Sequence, residues 1–297
     1  MKITCEVPYA LFGLPWLVAR DEGLFEEAGV EVELKPGGED QSPENIVFDP
    51  DQVNSIANHA PFANGEVQTF GACEWGQLRR TFDSGIAAKV MRKRPAVVSQ
   101  AIIVHPDSRF LRPQDLSQVP VAVRFHTASH YMTLQMLEGF LPKDEIKVMY
   151  PVTKSQHASH RYKALLNRTV EAITVAEPFI SLAEKHGLRI LCEARYQGSE
   201  MVSTVDTEAY RRATLAVKKA IALIKANKRK YVHYITAMIP PELGSLSPDE
   251  FHTARIEYVD YAPYTKEDFD RASNWIVRWN LLDKSASFEQ LVDKHGA

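Results

Sequence analysis

The spacing of hydrophobic and polar positions changes period repeatedly along the chain, and the changes predict alternating strands and helices. Residues 2–7 read as a strand that starts directly after Met1. Pro15 to Glu27 reads as a helix, with the proline near its first turn and Gly29 shortly after its end. Val30-Glu31-Val32-Glu33-Leu34 alternates at period two, as a half-buried strand does, and Gly37-Gly38 closes this first βαβ unit. Residues 37–52 are acidic, proline-bearing and irregular and read as a long loop, of a kind that is often functional or mobile. Residues 97–104 read as a strand interrupted by polar Ser99 and Gln100. A second βα series follows, with strands at 119–123, 146–150, 170–175 and 188–192. Its helices run from Thr127 or Ser129 to about Phe140, over 159–167 and over 178–186. From about Glu208 the pattern is mainly helical, over 208–227, 248–258 and 266–280. Such alternation predicts a largely parallel sheet covered by helices.

A chain of 297 residues is long enough for two compact lobes, and 45% hydrophobic residues supply a core. The net charge of −3 provides no basic field for nucleic acid. Arg92-Lys93-Arg94 and the basic run 225–230 are short and sit among acidic neighbours, so both read as solvated surface. No segment reaches the ~18–20 apolar residues of a membrane span. The first residues lack the charged and then apolar pattern of a leader, which predicts a cytoplasmic protein, or a periplasmic one if a leader has been removed. Cys5, Cys73 and Cys192 are odd in number and widely spaced, so they suggest neither a disulfide framework nor a metal pair.

Two segments carry a family resemblance. Leu17-Val18-Ala19-Arg20-Asp21-Glu22-Gly23-Leu24-Phe25-Glu26-Glu27-Ala28-Gly29-Val30-Glu31-Val32 resembles the opening of the NMT1/THI5-like binding-protein family. The run from Ala164 to Ile173, followed by Glu177-Pro178-Phe179, is similar to a second hallmark of that family. The resemblance implies an α/β, two-lobed periplasmic-binding-protein type 2 fold with an inter-lobe cleft. Residues 1–101 plus 200–297 would form one lobe and 102–199 the other. The ligand would lie at the carboxyl ends of strands from both lobes. Members of the family include ABC importer solute-binding subunits for sulfonates, nitrate and pyrimidines. Others are intracellular enzymes, among them an aromatic sulfinate desulfinase. Cys5-Glu6-Val7-Pro8-Tyr9-Ala10-Leu11 resembles the segment that carries the desulfinase's nucleophilic cysteine, and His59 resembles its catalytic histidine in spacing. The desulfinase's essential arginine would fall at Thr69, and its backbone-donor glycine at Ala72. A sulfinate needs a cationic, forked partner.

The candidate site follows from these positions. Cys5, at the end of the first strand, is the candidate nucleophile, with His59 as the base that would lower its pKa. Pro8 and Tyr9 follow on the same segment. Gly71-Ala72-Cys73-Glu74-Trp75-Gly76 reads as a small-residue turn that lets backbone approach a ligand, with Phe70 before it as a further candidate for ligand contact and Trp75 offering a stacking face. Arg124, His126, Thr127 and Ser129 combine a charge, hydroxyls and a helix start into an anion cradle. His126 and His130 share a helix spacing with no third ligand, so no metal is expected. Glu177 would point a carboxylate at the cleft as ligand acceptor, acid or base. These residues predict a small aromatic or heteroaromatic acid as ligand, without a cofactor. The leading expectation is a cysteine-dependent lyase or hydrolase in the cytoplasm. The alternative is a solute-binding protein that partners an ABC permease, and a third reading is a ligand sensor.

Overall fold

The computed structural model describes the chain except for residues 8, 38–42, 57–58, 85–88, 154–156, 203–206, 284–286 and 293–297. In chain order the elements are β1 (Lys2–Glu6), α1 (Ala10–Asp21), α2 (Leu24–Glu27), β2 (Glu31–Lys35), α3 (Ala60–Ala63), β3 (Thr69–Ala72), α4 (Glu74–Ser84) and β4 (Lys89–Val104). Then come β5 (Pro120–Ala122), α5 (Ala128–Leu137), β6 (Lys147–Met149), α6 (Ala158–Leu166), β7 (Ala172–Ala176), α7 (Phe179–Lys185) and β8 (Arg189–Val202). The chain closes with α8 (Thr207–Ala226), α9 (Val232–Thr236), β9 (Ile256–Tyr258), β10 (Ala262–Pro263), α10 (Lys266–Arg278) and α11 (Phe288–Leu291). Among the described residues no helix is long and apolar enough to cross a membrane.

The sheet runs β2-β1-β3-β8-β4-β7-β5-β6. Two parallel blocks, β2-β1-β3 and β7-β5-β6, flank the long antiparallel pair β8–β4. The parallel sheet expected from the βα alternation is therefore confined to the two blocks, and β4 and β8 join them. The two long strands are also where the register breaks. Lys93 pairs with Ser199 and Val97 with Gln197, so Arg94, Pro95 and Ala96 face the single residue Gly198. Pro95 has no N–H for the ladder. A Cβ on Gly198 would lie 2.1 Å from the Ala72 carbonyl oxygen, so only glycine fits the crossing.

Three elements differ from the sequence expectations, each for a local reason. The first helix ends at Asp21 rather than Glu27 and holds Pro15 in its interior, because Gly23 turns the chain at φ +71°. Pro15 cannot donate to the Leu11 carbonyl four residues earlier; the Tyr258 hydroxyl donates to it instead, at 2.8 Å. The helix expected over 248–258 is absent. Ile256 and Tyr258 are buried with Glu257 exposed between them, and this period-two stretch pairs with Ala96–Val98 as β9. Lastly, β4 begins at Lys89 rather than near 97. Arg92 and Arg94 are not solvated but buried. Arg92 pairs with Glu200 at 2.8 Å and lies over the Tyr261 ring, while Arg94 lies over the Phe12 ring at 4.1 Å. Two charged side chains in the alternation conceal the strand from a hydrophobicity pattern.

Candidate functional site

A cavity of about 120 Å³ opens between the two blocks. Its residues follow the carboxyl ends of the parallel strands: Tyr9 after β1, Cys73 after β3, Arg124 after β5 and Glu177 after β7. Open α/β sheets place their crevices at such ends. Leu11, Phe12, Phe179, Tyr196 and Met238 give it apolar walls.

Four guanidinium groups line the cavity, those of Arg80, Arg94, Arg124 and Arg161. Arg80 is the most deeply placed, at 1% exposure. Its Nε donates to the Ser55 carbonyl at 2.9 Å and its Nη2 to the His126 carbonyl at 2.8 Å. Its Nη1 has no partner among the described residues. Gly76 makes this placement possible. A Cβ there would stand 2.7 Å from Arg80 Nη1 and 2.8 Å from the His126 oxygen, so the bare glycine opens the groove along which the side chain passes. Arg124 Nη1 donates to the Tyr9 hydroxyl at 2.9 Å, tying one block to the other across the cavity. Its backbone N–H donates to Ser129 Oγ, and Thr127 Oγ1 donates to its carbonyl, which fixes the start of α5 at the wall.

The anionic groups are fewer and mostly engaged. Glu177 accepts from Ser181 N and Oγ at 3.1 and 2.8 Å, and burial pushes its carboxyl up to about 7. His59 lines the cavity, its ring tilted by 32° over Phe70 with centroids 4.1 Å apart, and its Nδ1 lies 2.6 Å from Glu6 Oε1. Burial, aided by Arg80 and Arg124, brings the imidazole down to about 4 against the pull of Glu6, so it is neutral near pH 7.

The residues singled out from sequence are distributed as follows. Tyr9, His59, Gly71, Ala72, Cys73, Arg124, Thr127, Ser129 and Glu177 line the cavity together. Pro8 lies outside the described residues. Phe70 sits beneath His59. Trp75 packs on Tyr131, Tyr196 and Trp275 beside the strand crossing and is not part of the cavity lining. The His126 ring is held by the Pro50 and Val53 carbonyls at 2.8 and 3.0 Å, so its role is to carry the carbonyl that anchors Arg80. Cys5 is buried on β1 outside the cavity. Burial first, then the Glu200 and Glu6 carboxyls, raise its thiol well above the ordinary range, and His59 is bonded to Glu6 instead. Arg80, Arg94 and Arg161 were not legible as site residues, and neither was Glu6.

No family model matches the chain, and no curated protein matches it. Solved structures do match over nearly the whole length. One is the alkanesulfonate-binding protein SsuA from Xanthomonas axonopodis pv. citri bound to MOPS, with 13% identity, TM-score 0.68, and 95% of this chain and 93% of that one covered. A second is DSZB, a desulfurization enzyme, in complex with biphenyl-2-sulfinic acid, with 15% identity, TM-score 0.64 and coverage of 99% and 97%. The third is a Candida albicans gene product described as having the generic periplasmic binding protein structural fold, with 12% identity, TM-score 0.68 and coverage of 99% and 96%. This is the periplasmic-binding-protein type 2 fold. The periplasmic-binding-protein architecture accounts for the single sheet with two blocks and for a cavity fed by both.

Proposed function

We propose that the protein binds a small organic acid, with a sulfonate, sulfinate or carboxylate on an aromatic body, in this cleft. The observation that carries the reading is the buried Arg80, a residue of the cavity lining whose guanidinium is anchored by two carbonyls and whose Nη1 has no partner among the described residues. A buried cation without a full set of partners is costly, and a forked guanidinium matches the oxygens of an acid group. Arg94, Arg124 and Arg161 add charge of the same sign, while Phe12, Phe179 and Tyr196 supply surface for an aromatic body. The alkanesulfonate-binding protein with MOPS and DSZB with biphenyl-2-sulfinic acid support the choice of acid. In this reading Arg80 takes the place of the cation that the sequence lacks at Thr69. Delivery to an ABC permease and turnover in the cytoplasm would use the same cleft, and the proposal concerns the binding step common to both.

The test is a thermal-shift panel of benzenesulfonate, benzenesulfinate, benzoate and neutral benzamide, with mass spectrometry of the denatured protein to identify a co-purified ligand. A ligand at about 100 times its Kd stabilises by ~2.7 kcal/mol. The acids should raise the melting temperature and benzamide should not; stabilisation by benzamide alone would reject the proposal.

A further inference from the structure

The Glu6–His59 pair has no role in holding an acid group, and its geometry is that of an oriented base. Glu6 and Cys5 are adjacent on β1, so their side chains leave opposite faces of the strand. Glu6 meets His59 and Cys5 does not. With a carboxyl oxygen 2.6 Å from Nδ1, the proton of the neutral ring belongs on Nδ1 and the Nε2 lone pair is open. Nε2 has no partner among the described residues, and the ring lines the cavity. Glu6 itself is fully buried, and its Oε2 is unpaired among the described residues. A carboxyl group in that position is expensive to fold around, and a neutral side chain would be cheaper.

We propose that His59 is a proton acceptor for the bound acid, and that Glu6 is the positioning residue that directs its Nε2 to the ligand. The inference rests on the binding reading for its ligand and extends it to chemistry. The substrate class is an organic acid that carries, besides its anionic group, a proton on a carbon or heteroatom beside His59. In the step, the ligand X–H bond breaks with its electron pair left on X, and Nε2 gains the proton. The imidazolium formed is paired with Glu6, which offsets part of the cost of burying its charge. The proton then returns to X or to a neighbouring ligand atom, so no oxidant or co-reactant is consumed. The charged groups facing the imidazole are Glu6 from β1, Arg80 from α4 and Arg124 from the segment after β5.

Two-bond 1H–15N spectra of the uniformly labelled protein, with His59 assigned through His59→Gln, read the tautomer directly. The expected result is the Nδ1–H tautomer at pH 7, persisting down to about pH 5. Diethyl pyrocarbonate, mapped by mass spectrometry, should acylate His59 in the native protein, and benzenesulfonate should slow that reaction. In Glu6→Gln the tautomer should become mixed and the acylation rate should change several-fold, while the melting temperature holds or rises. A merely structural glutamate would lower the melting temperature and leave the tautomer alone. An Nε2–H tautomer or an imidazolium in the wild type at pH 7 overturns the proposal, and so does a His59 that reacts only after unfolding. These wild-type measurements decide the matter even if Glu6→Gln does not fold. If the tautomer and reactivity are as expected but benzenesulfonate gives no protection, the binding reading fails and the oriented base stands.

Discussion

Gly198→Ala puts one methyl group where the two crossing strands come closest. The added Cβ would stand 2.1 Å from the Ala72 carbonyl oxygen and 3.0 Å from Arg94 Cζ. The first contact sets a fixed methyl group against backbone, so relief requires β3 and β8 to separate by about 1 Å where Ala72 pairs with Ser199. Overpacking of this kind costs ~1–3 kcal/mol. Restricting the unfolded chain returns ~0.4–1 kcal/mol. A net loss of about 1–2 kcal/mol follows, a fall in melting temperature of roughly 2–3 °C for a chain of this size. The displaced residues Ala72 and Arg94 both line the cavity, so affinity for benzenesulfonate should fall in the same variant. Calorimetric melts and titrations measure both effects. A variant that melts within 1 °C of wild type with unchanged affinity would refute the tight crossing as described.

Tyr258→Phe should cost ~1–3 kcal/mol in urea melts, because it leaves the Leu11 carbonyl, already deprived of a helix donor by Pro15, without a partner. Glu177→Gln has a pH signature. The folded-state carboxyl is raised to about 7 from 4.5, so its charged form penalises the wild type only as pH rises through that window. The variant's stability relative to wild type should therefore improve by about 2–3 kcal/mol between pH 4.5 and 7.5; a pH-independent difference would contradict this. Cys5 should alkylate no faster than the half-buried Cys192, and Cys5→Ser should keep affinity for benzenesulfonate while losing stability. Fast native labelling of Cys5 would return it to the site.

The sequence carried the blocks of the sheet clearly, since β1, β2 and the strands near 120, 147 and 173 have regular apolar spacing and glycine or proline at their borders. Arg124, Thr127 and Ser129 were legible because a strand followed at once by hydroxyls marks a helix start. Arg80 was not. It stands beside Arg79 on α4, and only the fold shows that Arg79 reaches outward to Asp51 and Asp83 while Arg80 turns inward. Gly76, four residues earlier on the same helix face, is the one signal that could have pointed to it. Arg94 was hidden by the assumption that a basic triplet is solvated, although strand alternation turns Arg92 and Arg94 to one side together. Glu6 carries no sequence signal of its own, since a lone carboxylate on a strand reads as solvent-facing and only the fold brings it 2.6 Å from His59 Nδ1.

The most direct test of the central claim is calorimetric titration of benzenesulfonate into the wild type and Arg80→Gln, with each variant's melt recorded beside it. Losing a charged hydrogen bond to the ligand costs ~1.5–3 kcal/mol, so affinity should fall about 10- to 150-fold in a variant that remains folded. A folded Arg80→Gln that binds within twofold of wild type would contradict the account.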